Sequence, residues 1–184
     1  PPLGNYILRM AAGTYGDPDE PNAPLTITQE SMRIEGDAGS GTIIEWSSSF
    51  TSWMTGIGIN TNNVTLADLT VRDFNTCVNV LSGSASIEQC TITSDLSGYG
   101  IKVSSGTATM DGCDIQGGEA GVFVDSATAT VSGCDVHDSE IGIKFVSSEG
   151  VIEECNVYDN TAGLYVESCD PAPEIRRNRI HGSG

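Results

Sequence analysis

One short motif returns along this chain at nearly constant spacing, and that spacing limits the fold more than any other feature. Four cysteines sit in matching frames: Ile87-Glu88-Gln89-Cys90-Thr91-Ile92, Met110-Asp111-Gly112-Cys113-Asp114-Ile115, Val131-Ser132-Gly133-Cys134-Asp135-Val136 and Ile152-Glu153-Glu154-Cys155-Asn156-Val157. Two further copies place other residues at the cysteine position, Leu69 before and Asn178 after. The key positions 69, 90, 113, 134, 155 and 178 are separated by 21, 23, 21, 21 and 23 residues. A second block keeps the same phase: Cys77-Val78-Asn79-Val80, Gly100-Ile101-Lys102-Val103, Gly121-Val122-Phe123-Val124, Gly142-Ile143-Lys144-Phe145 and Gly163-Leu164-Tyr165-Val166. Gly56-Ile57-Gly58-Ile59 stands one step earlier. Each block alternates apolar and variable residues, the period-2 signature of a strand with one buried face.

A repeat this short holds about three strands and tight turns, with no room for a helix. Leucine-rich repeats need a Leu-rich consensus that is absent, and a propeller blade needs roughly 40 residues. Strand-only repeats stack as coils of a parallel β-helix, one coil per ~4.8 Å. About seven coils are expected, hence an all-β rod of roughly 35 Å. The composition agrees: 22 glycines, 18% charged and 6% aromatic residues suit turns and strands better than helices. The start is less regular. Tyr6-Ile7-Leu8-Arg9-Met10 and Leu25-Thr26-Ile27 read as strands, residues 16–24 as a loop with three prolines, and Ser47 to Met54 as an insertion. Residues 1–184 therefore read as one domain, irregular over 1–60 and regular over 61–184.

Eight Lys+Arg against 25 Asp+Glu give a net charge of −17, which argues against nucleic acid as a partner. No apolar run approaches the ~20 residues of a membrane helix. The chain opens on Pro1-Pro2 without a basic or apolar leader, so the compartment stays open between extracellular, part of a larger assembly, and intracellular. The sequence stops in mid-repeat, and the expectation is a processed chain or a segment of a longer one. Open coil ends would leave strand edges and core exposed, to be covered by further coils or another chain.

The pattern resembles the right-handed parallel β-helix superfamily of pectin-lyase type, and more narrowly its carbohydrate-binding and sugar-hydrolase repeats. Met10-Ala11-Ala12-Gly13-Thr14-Tyr15, Leu25-Thr26-Ile27 and Met32-Arg33-Ile34-Glu35-Gly36 are similar to the first coils of such proteins. Residues 152–163 and 174–182 resemble repeats in the β-helix of F-box substrate receptors of ubiquitin ligases, although no F-box is present. The resemblance implies fold far more than function, because enzymes, adhesins and scaffolds share it.

Cys90, Cys113, Cys134 and Cys155 share one position in successive coils and should form a column, with Asn178 continuing it. In the family this turn position often carries an asparagine ladder. Reduced buried thiols acting as small fillers, disulfides between adjacent coils, and a soft-metal site such as copper remain open. Cys77 takes a glycine position, and Cys169 follows a strand about four coils away, so the two should not pair.

Function on a β-helix lies on outward residues aligned between coils. Asn79, Lys102, Phe123, Lys144 and Tyr165 form one row, in which Lys102, Phe123, Lys144 and Tyr165 are candidates to hold sugar rings and their carboxylates. Thr70, Thr91, Asp114, Asp135, Asn156 and Arg179 form another, beside Arg72, Thr93, Gln116, His137, Tyr158 and His181. Asp114, Asp135 and His137 are the candidate acid/base residues. Asp111, Asp114, Asp135 and Asp138 are weak candidates for a cation, of which Ca²⁺ suits the oxygen donors; no other cofactor is implied. Thr65, Ser86, Thr109 and Thr130 lie beside Asn63, Ser84, Thr107 and Thr128, rows read as β-propensity and hydroxyl ladders, with ice binding the sharper alternative. Of the series resembling polygalacturonase-type hydrolases, only His181-Gly182 occurs. The leading expectation is a non-catalytic repeat module facing a polysaccharide or protein partner. The alternative is a lyase, hydrolase or epimerase using the Asp/His row.

Overall fold

The computed structural model describes residues 5–16, 25–37, 41–45 and 54–183. Most of the expected 16–24 loop and of the 47–54 insertion lies outside them. Among the described residues nineteen strands, all paired in parallel, follow one another without a helix. Each coil contributes one strand to each of three sheets; Thr107–Asp111, Asp114–Gln116 and Ala120–Asp125 make one such coil. Register partners then recur one coil on, as in Val131 with Met110, Val136 with Ile115 and Ile143 with Val122. Counted through these pairings, the described residues form seven complete coils and two strands of an eighth. No helix among them is long and apolar enough to cross a membrane.

The alternation seen in the sequence becomes an inside and an outside. Ala108, Met110, Ile115, Val122 and Val124 of a single coil are all fully buried. Each large aliphatic side chain so buried stabilises the fold by about 1.5–3 kcal/mol. The same positions open up in the terminal coils, where Leu8 is 44% and Ile180 46% exposed.

What turns the chain at each corner is a two-residue device. The first residue adopts a left-handed conformation; the second points its side chain inward. In the first corner the left-handed residues are Asp68, Gln89, Gly112, Gly133, Glu154 and Arg177, with φ between 51° and 60°. The inward residues that follow them are Leu69, the four cysteines and Asn178. Asp138 and Asp159 play the left-handed part in the second corner, before inward Ser139 and Asn160. In the third corner Ser126, Ser147 and Ser168 precede inward Ala127, Ser148 and Cys169.

The inward residue's own N–H points along the rod axis, away from any strand partner. A side chain of the next coil accepts it. Cys155 N–H donates to Asn178 Oδ1 (2.9 Å), Ser139 N–H to Asn160 Oδ1 (3.0 Å), Ala127 N–H to Ser148 Oγ (3.2 Å) and Ser148 N–H to Cys169 Sγ (3.3 Å). Leu69, Cys90, Cys113 and Cys134 donate in the same way to the sulfurs of Cys90, Cys113, Cys134 and Cys155. The sulfurs in turn donate to carbonyls of the preceding strand, such as Cys155 Sγ to Glu153 O at 3.2 Å. The thiols are therefore hydrogen-bonding members of the corner as well as fillers of it. All six cysteines are free; five are buried and Cys169 is half-buried. Burial pushes Cys77 up to about 12. Cys134 lowers the neighbouring Cys113, but the bond to Cys90 and burial outweigh it and push Cys113 up to about 12.

Glycines between corner and third sheet mark a second constraint. A Cβ on Gly121 would meet Val136 Cγ1 at 2.7 Å and the Gly142 carbonyl oxygen at 2.9 Å. At Gly133, by contrast, nothing lies closer than 3.9 Å, and only its φ of 59° resists a side chain. Thermal unfolding should separate the two effects. Gly133→Ala should cost about 1 kcal/mol, from left-handed strain alone. Gly121→Ala should cost up to about 3 kcal/mol, from overpacking. A second check is thiol labelling of the native protein. Cys169 should react first, and Cys77, Cys113 and Cys134 only on unfolding.

Candidate functional site

The outward face of the second sheet gathers both histidines of the chain. Asp114, Asp135, Asn156 and Arg179 are register neighbours, as are Gln116, His137, Tyr158 and His181. His137 Nε2 lies 3.0 Å from Asp114 Oδ1, and its Nδ1 lies 2.8 Å from Asp138 Oδ2. Asp138 can reach back because it is the left-handed corner residue directly after His137. The imidazole is thus held between two carboxylates, with Gln116 Nε2 donating to Asp138 at 3.3 Å. Tyr158 stacks on His137 (4.8 Å between centroids, 14° between planes) and His181 stacks on Tyr158 (5.6 Å, 10°). Asn156 Nδ2 donates to Asp135 Oδ1 at 3.0 Å.

Asp111 is not part of this group. It lies on the first sheet, in register between Glu88 and Ser132, because the Gly112-Cys113 corner swings the chain onto another face before Asp114. Grouping Asp111 with Asp114, Asp135 and Asp138 by sequence proximity is therefore corrected. Among the described residues no three His, Cys, Asp or Glu side chains converge to hold a metal ion.

On the third sheet Lys102, Phe123, Lys144 and Tyr165 do stand in register. Lys102 Nζ lies 5.4 Å and Lys144 Nζ 4.9 Å from the Phe123 centroid, cation–π distances that leave Phe123 only 9% exposed. Tyr99 joins from the side, 5.1 Å from Phe123. Glu119 binds both Lys144 Nζ (3.2 Å) and Tyr99 Oη (3.1 Å). Nothing in the repeat pattern signals the Tyr99–Glu119 support. The ring surface left open in this row belongs to Tyr165, 40% exposed.

The first sheet carries the hydroxyl rows. Thr65, Ser86, Thr109 and Thr130 are register neighbours, as are Ser84, Thr107 and Thr128. A groove of about 520 Å³ runs along Thr65, Ser84, Ser86, Thr107 and Thr109, bounded by Asn5, Ile7, Ser31, Met32 and Arg33 of the first coils. Two smaller hollows, of about 260 and 220 Å³, lie near Ser148 and near Asp68. None of the three is lined by Asp114, Asp135 or His137.

No curated protein matches the sequence. A family model described as the right-handed β-helix region matches residues 55–184. The chain belongs to the right-handed β-helix family. Its hand is thereby given along with its coil architecture. Among solved structures, a pectin methylesterase from Erwinia chrysanthemi is similar over 91% of this chain and 58% of its own, at 16% identity and a TM-score of 0.61. A pectate lyase is similar over 84% and 45%, at 14% identity and 0.69. A pectin methylesterase from Aspergillus niger is similar over 97% and 77%, at 13% identity and 0.67. The chain thus spans about half the length of the first two. At these identities the likeness is one of fold alone. It has no bearing on the F-box resemblance.

His137 makes the second-sheet face pH-sensitive. Burial lowers its pKa, but the bonds to Asp138 and Asp114 outweigh this and raise it above the ordinary 6.5. A raised folded-state pKa means that protonated His137 stabilises the fold below about pH 6.5. That contribution is lost as pH rises through the folded value. Urea unfolding from about pH 5 to pH 8 should show this loss in the parent protein. In His137→Gln the part due to His137 should be absent.

Proposed function

We propose that this chain is a non-catalytic β-helix module that binds a polysaccharide along an outward face. The observation that carries this reading is the state of His137. Both ring nitrogens are engaged by carboxylates, on an open face away from the hollows. General acid/base chemistry needs a nitrogen free to reach substrate and a site that excludes water. A polysaccharide is the partner class favoured by the fold's company: the similar structures are named as pectin methylesterases and a pectate lyase. Outward rows repeating once per coil suit a polymer better than a compact ligand.

The stacked Asp114–Asp135 pair favours the second reading, a polysaccharide-active enzyme. In that reading the pair would share a proton, with His137 released from one carboxylate on binding substrate.

The two readings part in one experiment. The protein is incubated with pectin, polygalacturonate and neutral glycans. Products are read by mass spectrometry and binding by affinity electrophoresis. The proposal expects retarded mobility in at least one glycan and no shortened, unsaturated, de-esterified or epimerised product. A product that disappears in Asp135→Asn would replace it with the enzyme reading.

A further inference from the structure

The groove on the first sheet differs chemically from the rest of the surface. The chain carries a net charge of −17, yet no acidic residue lines this groove. Its one charged residue, Arg33, is neutralised in place by Glu35 (2.8 Å) and Glu88 (3.0 Å). Five coils contribute to it, so it runs along the rod axis for about 19 Å at ~4.8 Å per coil.

Apart from Ser84 and Ser86, its neutral polar side chains are also unspent. The side chains of Asn5, Ser31, Asn63, Thr65, Thr107 and Thr109 line the groove, and none makes a hydrogen bond among the described residues. Each is neutral and able to donate as well as accept. The basic side chains elsewhere on the surface are largely committed: Arg9, Arg72, Lys144, Arg176 and Arg177 are in ion pairs, and His137 in two. Beside the unspent groups lies apolar surface from Ile7, 56% exposed, and Met32.

We infer that this groove is the binding site for an uncharged, hydroxyl-rich polysaccharide lying along the rod. A sugar ring offers hydroxyls at its rim and C–H surface on its faces, and the groove answers both. Neutral polymers escape the repulsion that the acidic surface imposes on polyanions. The match between unpaired neutral donors and acceptors and an uncharged ligand selects against acidic chains, whose carboxylates would find only a compensated Arg33. This inference rests on the polysaccharide-binding reading and gives it a location and a ligand class.

Thr107→Val/Thr109→Val removes two hydroxyls while keeping β-branched shape on the outer face of a strand, so the fold should persist. Thr130→Val, one coil beyond the groove, serves as the control. Calorimetry with cellohexaose, mannohexaose and maltohexaose, and with hexagalacturonate as the acidic counterpart, reads the affinity of each variant. At least one neutral hexasaccharide should bind more tightly than hexagalacturonate. Its affinity should fall about tenfold in the double variant and stay unchanged in Thr130→Val. Neutral binding indifferent to the double variant overturns the groove and leaves the polysaccharide-binding reading standing. Preference for hexagalacturonate overturns the ligand class. Binding to no glycan at all removes both.

Discussion

The regular coils of this protein must dispose of the N–H at the second residue of their corners. The strand ladder cannot take it, because that N–H points along the rod between carbonyls already in use. A buried N–H without a partner costs on the order of 1–3 kcal/mol, and the corners recur in every coil. The chain solves this with a side chain from the next coil: sulfur or the Asn178 carboxamide in the first corner, the Asn160 carboxamide in the second, and the Ser148 hydroxyl or Cys169 sulfur in the third. Ser94 Oγ, beside Gly118 of the next coil, is buried without a partner among the described residues. The cysteine column and Asn178 are thus one device in two chemistries, which explains how Asn178 can continue a run of thiols.

A rod fixed from within leaves its outer residues free. Inward positions are taken by aliphatic side chains, corners by ladders and the glycine column by close backbone approach. Outward positions face only their neighbours one coil away. Charged residues there settle into ion pairs, His137 into its carboxylate clasp and the lysines onto aromatic faces. The groove on the first sheet keeps a set of neutral polar groups without partners among the described residues. In the proposed reading, the architecture that ties the second-sheet groups to each other leaves that groove to a polymer.

The periodic part of this account was legible in the residues themselves. Steps of 21 and 23 placed the cysteines in a column, aligned Lys102 with Phe123 and Lys144, and set Asp114 beside Asp135. The corners were harder to read. Their ladders are built from chemically equivalent but different residues: Ser139 and Asn160 in one, Ala127, Ser148 and Cys169 in another. Identity-based periodicity passes over them, and Cys169 looked like a stray. Asp111 falls on a different face from Asp114 because left-handed Gly112 and inward Cys113 turn the chain between them, a separation that sequence distance does not show. The groove was invisible for another reason. It joins regular coils to the irregular first ones, where Asn5, Ile7 and Arg33 follow no repeat.

The claim on which all this rests is that the inward corner side chains act as hydrogen-bond acceptors, and not as filling alone. Cys134 tests it most directly, since it is flanked by ladder partners on both sides. Equilibrium urea unfolding of Cys134→Ser and Cys134→Ala compares an acceptor with a non-acceptor of similar size. The hydroxyl can accept the Cys113 N–H and donate to the Ser132 carbonyl, as Ser148 does with Ala127 and Val146. The account predicts that the serine variant is the more stable of the two. An alanine variant as stable as the serine variant, or more so, would contradict it.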